Sequence, residues 1–219
     1  MAPAAGLPPS VGRALCIGVD TDADARLFAA LAAERGFVEP ALLLGEAATR
    51  TAVRAKLAEM AARSEPGDLF LLTFCGHGGR TRVRAHGDEV QEVGTWQLYD
   101  GTLNDRQLTA DLAQFRQGVR VLVVSDNCGG GMPALRLGDL RCSVLVLAAC
   151  EEGEYADGAG LPGHFAGVLS RALSGNGFDG SYGALYEALC NAMPPYQKPD
   201  YYRLGVPDAA FEAQRPLTI

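Results

Sequence analysis

The sequence predicts an α/β fold in which helices cover both faces of a mostly parallel central sheet of about six strands. Short apolar runs alternate along the chain with segments of helical periodicity. The apolar runs are continuous, which is typical of strands that are buried on both faces of a parallel sheet. No linker, repeat or low-complexity segment interrupts residues 11–206, so we expect a flexible leader over residues 1–10 and one domain over residues 11–219.

The first two strand–helix units follow directly from the apolar pattern. Runs at residues 14–19 and 38–44 predict strands, and residues 24–35 between them predict a helix. A second helix is expected after Thr49, whose side chain can cap it. The apolar faces of these two helices are formed by Leu27, Phe28, Leu31 and Ala32, and by Val53, Leu57, Met60 and Ala61.

The middle of the chain contains a third strand and a polar segment. A turn at Pro66-Gly67-Asp68 leads into an apolar strand at residues 69–74. Residues 80–94 are charged and show no apolar periodicity, which predicts a loop. A short strand is expected at residues 96–99.

The remaining elements repeat the alternation of helix and strand. A helix with an apolar stripe of Leu108, Leu112 and Phe115 leads into a strand at residues 119–124. An edge strand closes the chain, because Pro199 suits an edge better than the centre of a sheet. The other predicted elements are a strand at residues 142–149, helices at residues 164–173 and 182–192, and that edge strand at residues 199–206.

Composition excludes several classes of function. The formal net charge of −7 argues against a nucleic-acid-binding surface. No apolar run approaches the roughly 20 residues of a membrane span, and residues 1–10 lack the pattern of a secretory signal. Six cysteines without a CxxC pair fit neither a zinc site nor a disulfide framework. We therefore expect a cytoplasmic protein with no membrane partner, in which Cys16, Cys142 and Cys150 pack as small apolar side chains.

Two glycine-flanked runs at strand ends carry the candidate chemistry. His77 follows the strand at residues 69–74, and Cys128 follows the strand at residues 119–124. The carboxyl ends of parallel strands lie at one edge of a sheet, so we expect the imidazole and the thiol to face each other there. His77 would activate the Cys128 thiol as a nucleophile, with the N–H groups of Gly78 and Cys128 as oxyanion donors. No third orienting residue is evident, which predicts a Cys/His dyad.

The order of the motifs resembles that of the caspase-like cysteine peptidases, and in particular the bacterial metacaspases. The spacing of His77 and Cys128 agrees with the roughly 50 residues that separate the two residues in caspases. The resemblance extends over nearly the whole chain, and its further motifs are residues 14–19, Asp24-Ala25, Gly36-Phe37, residues 66–79, residues 96–100, Asn104-Asp105, residues 118–128 and residues 197–205.

The resemblance implies a three-layer caspase-like sandwich and hydrolysis of peptide bonds after Arg or Lys. Cys128 would be the nucleophile and His77 the general acid/base. The S1 pocket, which binds the residue before the cleaved bond, would contain Asp24, Asp126 and Cys75, with Asp20 or Asp22 as alternatives to Asp24. Asp24 could instead be a first-turn acid that complements the helix dipole. The partner would be a protein or peptide substrate with a basic P1 residue.

The chain departs from the family pattern at three places. Cys75 replaces a serine, and Gly129-Gly130-Gly131 replaces the usual His-Ser-Gly. Of the calcium-binding acids of the family, Asp88 and Asp105 have matches here, but the aspartate expected beside Asp105 is Asn104. The resemblance therefore leaves calcium dependence open, and we expect no required cofactor. A catalytically inactive interaction or regulatory domain is the alternative function.

The resemblance also bears on assembly and processing. Caspases dimerise through their last strand, but Pro199 and the tyrosines beside it favour a monomer here. Self-cleavage could occur at Arg136, at Arg141 or in an exposed loop that contains Arg80, Arg82 and Arg84. Four acids, Glu151, Glu152, Glu154 and Asp157, are interpreted as a solvated loop.

Overall fold

The computed structural model describes residues 9–20, 22–84, 90–127, 139–150 and 164–219. The strands in these ranges are β1 (Gly12–Gly18), β2 (Val38–Leu44), β3 (Leu69–Cys75), β4 (Gly78–Arg84), β5 (Val90–Leu98), β6 (Gly101–Asn104), β7 (Arg120–Asp126), β8 (Ser143–Ala148) and β9 (Asp200–Gly205). The α-helices are α1 (Asp22–Glu34), α2 (Arg50–Arg63), α3 (Asp105–Leu112), α4 (His164–Leu173), α5 (Tyr182–Ala192) and α6 (Ala209–Ala213).

Six strands form the large sheet, in the order β2-β1-β3-β7-β8-β9. The first five strands are parallel, and β9 pairs antiparallel with β8 at the edge. The predicted mostly parallel sheet and its last edge strand are therefore confirmed. Thr49 caps α2 as predicted, because its side chain accepts a hydrogen bond from the Ala52 N–H.

Two apolar clusters on opposite faces of this sheet produce the three layers. Alternate residues of β3 supply both clusters: Leu69 and Leu71 face one side, and Phe70 and Phe74 face the other. The first cluster contains α1, α4 and α5, and the second contains α2, α3 and buried side chains of β5 and β6. Burial on both faces explains why the strands are continuous apolar runs.

The predicted loop over residues 80–94 is wrong. β4 and β5 form an antiparallel hairpin, paired from Gly78 opposite Trp96 to Arg84 opposite Val90, and β6 adds a third strand. The predicted strand at residues 96–99 is only the end of the longer β5. Charge conceals β4 because its arginines lie at every second position on an exposed face. The proposed target site at these arginines is thus an exposed strand and not a loop.

Smaller differences concern single residues. Leu27 is 39% exposed and lies off the buried face of α1, where Ala25 takes its place. Phe115 lies beyond the end of α3 but is buried and stacks on Phe70 with ring centroids 4.9 Å apart.

Cys142 is fully buried, as are Cys16 and Cys150, which confirms that they pack as apolar side chains. In the described part of the chain no helix has the length and apolar character of a membrane span.

Asp68 connects the start of the domain to the predicted turn. Its carboxylate accepts hydrogen bonds from the Val11 and Glu65 N–H groups and from the Arg13 guanidinium. The Arg13–Asp68 pair is largely buried, with side chains 15% and 7% exposed and an N–O distance of 2.6 Å. Three donors therefore depend on one carboxylate between β1 and β3.

Replacing Asp68 with Ala should lower the free energy of unfolding by about 3 kcal/mol, because it leaves a buried guanidinium and two N–H groups without their acceptor. Urea denaturation of the purified protein measures this loss. Glu59→Ala is the matched control, since its pairs with Lys56 and Arg63 are exposed and its loss should leave the free energy of unfolding nearly unchanged. Equal losses in the two variants would contradict the assignment.

Candidate active site

Three strand ends lie side by side at the carboxyl edge of the large sheet. Gly18 of β1 pairs with Cys75 of β3, and Cys75 pairs with Asp126 of β7. The chain leaves β1 toward β2 on one side and leaves β3 toward β7 on the other, so the order of the strands reverses between β1 and β3. Open α/β sheets bind their ligands at such a reversal. The predicted placement of the site at this edge is consistent with the topology.

His77 lies in the short turn between β3 and β4 and is exposed. The backbone holds this turn on both sides: the Gly76 N–H donates to the Asp126 carbonyl at 3.2 Å, and the Gln97 N–H donates to the His77 carbonyl at 2.8 Å. A Cβ atom at residue 76 would stand only 3.0 Å from the Val19 carbonyl oxygen, so glycine permits the close approach of the two strand ends.

The β4–β5 pairing leaves the N–H of Gly78, the predicted oxyanion donor, without a partner in β5. The bond from Gln97 to the His77 carbonyl makes Gly78 and Trp96 a non-hydrogen-bonded pair of the β4–β5 ladder. The Gly78 N–H therefore points away from β5, toward the outer side of β4, and the ladder does not use it. Cys128, the second predicted oxyanion donor and the predicted nucleophile, lies outside the described residues, as do the three glycines after it.

Asp126 ends β7 with a carboxylate that faces the first turn of α4. Its Oδ2 accepts a hydrogen bond from the Ala166 N–H at 3.0 Å. Burial raises the pKa of Asp126 to about 6, the bond from Ala166 opposes that rise, and the charge of Asp24 adds to it. Burial also raises the pKa of Asp24. The two carboxylates thus lie close enough for the charge of one to act on the other.

Cys75 belongs to the same cluster. Burial raises the pKa of its thiol well above the ordinary value, and the charges of Asp126 and Asp24 raise it further. The structure therefore brings together the three residues predicted for S1. The alternatives Asp20 and Asp22 are both exposed, whereas Asp24 is half-buried and acts on Asp126. Sequence reasoning missed the Ala166 N–H, because a backbone donor leaves no signal in the sequence.

The candidate calcium ligands are not assembled by the described residues. Asp105 is fully buried at the start of α3, and its Oδ2 accepts a hydrogen bond from the Gly94 N–H at 3.0 Å. Asn104 caps α3 in a capping box with Gln107. Asp88 lies outside the described residues. Within the described ranges no three His, Cys, Asp or Glu side chains are grouped as a metal site would need.

The other predicted features are divided between described and undescribed segments. Arg141 is exposed just before β8, whereas Arg136 lies outside the described residues. The acidic residues Glu151, Glu152, Glu154 and Asp157 also lie outside them, as do residues 1–8 of the predicted leader.

Comparison with solved structures identifies similar proteins. Protein GSU0716 from Geobacter sulfurreducens is 32% identical, with a TM-score of 0.81 over 97% of this chain and 99% of that chain. Caspase-1 from Spodoptera frugiperda is 12% identical, with a TM-score of 0.55 over 88% of this chain and 85% of that chain. The structure of drICE is 14% identical, with a TM-score of 0.58 over 88% and 87% of the two chains. No family model and no curated protein matches the chain. The likeness to the last two structures establishes a caspase-like fold.

Replacing Asp126 with Asn should raise the free energy of unfolding by about 1–3 kcal/mol at pH 8. Because the folded state raises the pKa of Asp126 to about 6, the ionised carboxylate destabilises the fold above that pH. This cost fades as the pH falls from about 6 toward the ordinary pKa of a carboxyl group, and the gain in the variant should fade with it. Urea denaturation at pH 8 and pH 5 measures both gains.

Asp22→Asn is the control for this prediction, because Asp22 is exposed on the same helix as Asp24 and its loss should change stability by less than about 0.5 kcal/mol. An Asp126→Asn variant that is less stable than the wild type at pH 8 would show that the carboxylate stabilises the fold.

Proposed function

This chain belongs to the same family as protein GSU0716 from Geobacter sulfurreducens and has a caspase-like fold, and from this premise we propose that it is a cysteine endopeptidase that cleaves after Arg or Lys. One observation carries the proposal. Cys75 and Asp126 are partners in the β3–β7 ladder, His77 follows Cys75 by two residues, and Cys128 follows Asp126 by two residues. The two residues proposed to react are therefore each two positions along the chain from paired residues at neighbouring strand ends.

The proposed chemistry is an acyl transfer through Cys128. His77 accepts the thiol proton, and the sulfur attacks the carbonyl carbon of the peptide bond. The tetrahedral intermediate collapses as His77 returns the proton to the leaving amine, which gives an acyl-enzyme and the first product. Water, deprotonated by His77, then hydrolyses the thioester and restores the thiol. The exposure of His77 at the turn is compatible with this exchange of protons with substrate and water.

Stabilisation of the intermediate is assigned to backbone donors. The Gly78 N–H, which the β4–β5 ladder leaves unused, and the Cys128 N–H would bind the developing oxyanion. Backbone donors are already oriented before the reaction, so they cost little reorganisation. No cofactor takes part in this mechanism, and Asp88 and Asp105 would act only if calcium regulates the protein.

Preference for a basic P1 residue is assigned to Asp24 and Asp126. A guanidinium can form two charge-assisted hydrogen bonds with a carboxylate, and two neighbouring carboxylates favour a cation between them. Cys75 contributes a buried, protonated thiol beside both acids and adds no charge of its own. An aspartate at P1 would meet two like charges, so the pocket should reject caspase substrates.

Cys128→Ala should reduce cleavage of a fluorogenic Arg-P1 peptide to background, and His77→Ala should reduce it by at least roughly a thousandfold. Cys190→Ala is the matched control, because Cys190 is an exposed cysteine on α5 with no role in the proposed site, and its loss should leave kcat unchanged. Cleavage that survives in Cys128→Ala would refute the nucleophile. A wild-type protein that cleaves no Arg-, Lys- or Asp-P1 peptide, with or without calcium, would favour the inactive interaction domain.

The affinity for a basic P1 residue should weaken as the pH falls through about 6, because protonation of Asp126 removes one of the two negative charges. Calorimetric titration of the Cys128→Ala variant with an Arg-P1 peptide between pH 5 and 8 tests this without cleavage of the peptide. A peptide with Gln at P1 should bind independently of pH in this range. An Asp126→Asn variant should weaken Arg-P1 binding roughly tenfold to a hundredfold at pH 8. Equal pH profiles for the two peptides would contradict the pocket assignment.

We also propose that the protein acts as a cytoplasmic monomer on protein or peptide substrates. Pro199 and the tyrosines beside it, at the edge strand β9, support the monomer, and sedimentation of the purified protein measures it.

A further inference from the structure

Trp96 is the single tryptophan of the chain, and its side chain contacts both β3 and β7, the strands that precede the proposed dyad residues. It is fully buried in β5. Its backbone stands opposite Gly78, and the N–H of the next residue, Gln97, donates to the His77 carbonyl. The strand that contains Trp96 therefore fixes the backbone on the histidine side of the site.

The side chain of Trp96 reaches the cysteine side. Its ring stacks on Phe74 near the end of β3, with ring centroids 4.6 Å apart and planes inclined by 9°. Its Nε1–H donates to the Ser125 Oγ of β7 at 3.0 Å, and that hydroxyl in turn donates to the Asn127 Oδ1 at 3.1 Å. Asn127 is the residue immediately before Cys128.

The direction of these hydrogen bonds is fixed. An indole N–H can only donate, so the Ser125 hydroxyl accepts from it and gives its own proton to the amide oxygen of Asn127. Ser125 is fully buried and Asn127 is 5% exposed, so their polar groups need partners inside the protein. The Cys150 thiol adds a contact to the Asn127 carbonyl oxygen at 3.5 Å.

Packing alone does not explain these residue types. The preceding residues of β7, from Val121 to Val124, are apolar and buried, and apolar side chains at positions 125 and 127, with phenylalanine at position 96, would leave no buried polar side-chain group to satisfy. A buried, fully connected polar chain instead fixes one arrangement of the groups that it joins.

We propose that Trp96 is a positioning residue: through Ser125 and Asn127 it fixes the backbone that leads into Cys128 relative to the His77–Gly78 turn, which the same strand holds. The inference rests on the proposed peptidase function. The three-stranded sheet of β4, β5 and β6 thus holds the two halves of the site in a fixed position relative to each other.

Trp96→Phe tests the inference because it keeps an aromatic ring against Phe74 and removes the indole N–H. With an Arg-P1 peptide, kcat should fall roughly tenfold to a hundredfold, as misplacement of reacting groups by about 1 Å does. KM should change by less than about twofold, since Asp24 and Asp126 are not altered. Phe115→Leu is the matched control: it disrupts the other aromatic stack in the same apolar cluster, at the far end of β3, and should lower stability without lowering kcat.

Ser125→Ala is the second variant. It interrupts the same series of hydrogen bonds by the loss of one oxygen atom, and it should fold even if Trp96→Phe does not. Its kcat should fall to a similar extent. The variant that carries both substitutions should be no slower than the slower of the two single variants, since each substitution interrupts the same series of hydrogen bonds. Additive losses, or an unchanged kcat in Ser125→Ala, would overturn the inference.

The alkylation rate of Cys128 with iodoacetamide, followed by mass spectrometry from pH 5 to 10, separates this inference from the proposed function. In the wild type the pH midpoint should lie well below that of an ordinary thiol, about 8.5, and in Ser125→Ala it should move toward that value. An active wild type whose variants keep both kcat and the midpoint overturns the inference alone. A wild type with an ordinary Cys128 and no cleavage overturns both.

Discussion

The in-register parallel pairing of β1, β3 and β7 is the constraint on which the site depends. It aligns Gly18, Cys75 and Asp126 in one row across three strands. The other predicted site residues that the structure describes follow this row by a few positions along the chain: Asp24 follows β1, and His77 and Gly78 follow β3. A slip by one residue would turn each side chain of these strands to the opposite face, where it would meet the other apolar cluster, so the close packing of two different clusters protects the alignment.

This alignment has an electrostatic cost at Asp126. The carboxylate is buried beside a second acid, and among the described residues the Ala166 N–H at the start of α4 offsets part of the loss of water. A site that was shaped by stability alone would place an apolar or amide side chain here. Functional sites commonly keep such strain, because a bound ligand of opposite charge then relieves it. The raised pKa of Asp126 and the proposed basic P1 preference therefore have one physical origin.

The sequence was sufficient for the large sheet because its strands are continuous apolar runs, and the glycines beside His77 and Cys128 marked the strand ends. The sequence was insufficient for the three-stranded sheet of β4, β5 and β6. β4 has one exposed face with charged residues at every second position, and this charge outweighed the period-two signal of Thr81 and Val83. The contact of Asp126 with α4 and the chain from Trp96 to Asn127 were also hidden. Both join residues that are distant in sequence, and no local pattern encodes such contacts.

The acid pair also constrains how the proposed nucleophile can ionise. The charges of Asp24 and Asp126 raise the pKa of the Cys75 thiol, which shows that the carboxyl edge of the sheet disfavours a lone thiolate. Cys128 follows Asp126 by only two residues, so a lone thiolate there would meet a field of the same sign. A thiolate paired with a protonated His77 is neutral as a unit and escapes most of that repulsion. Under the proposed function, the acids that select a basic substrate would thus favour a thiolate at Cys128 only when it is paired with His77, and a substrate cation that neutralises Asp126 would favour that thiolate on binding.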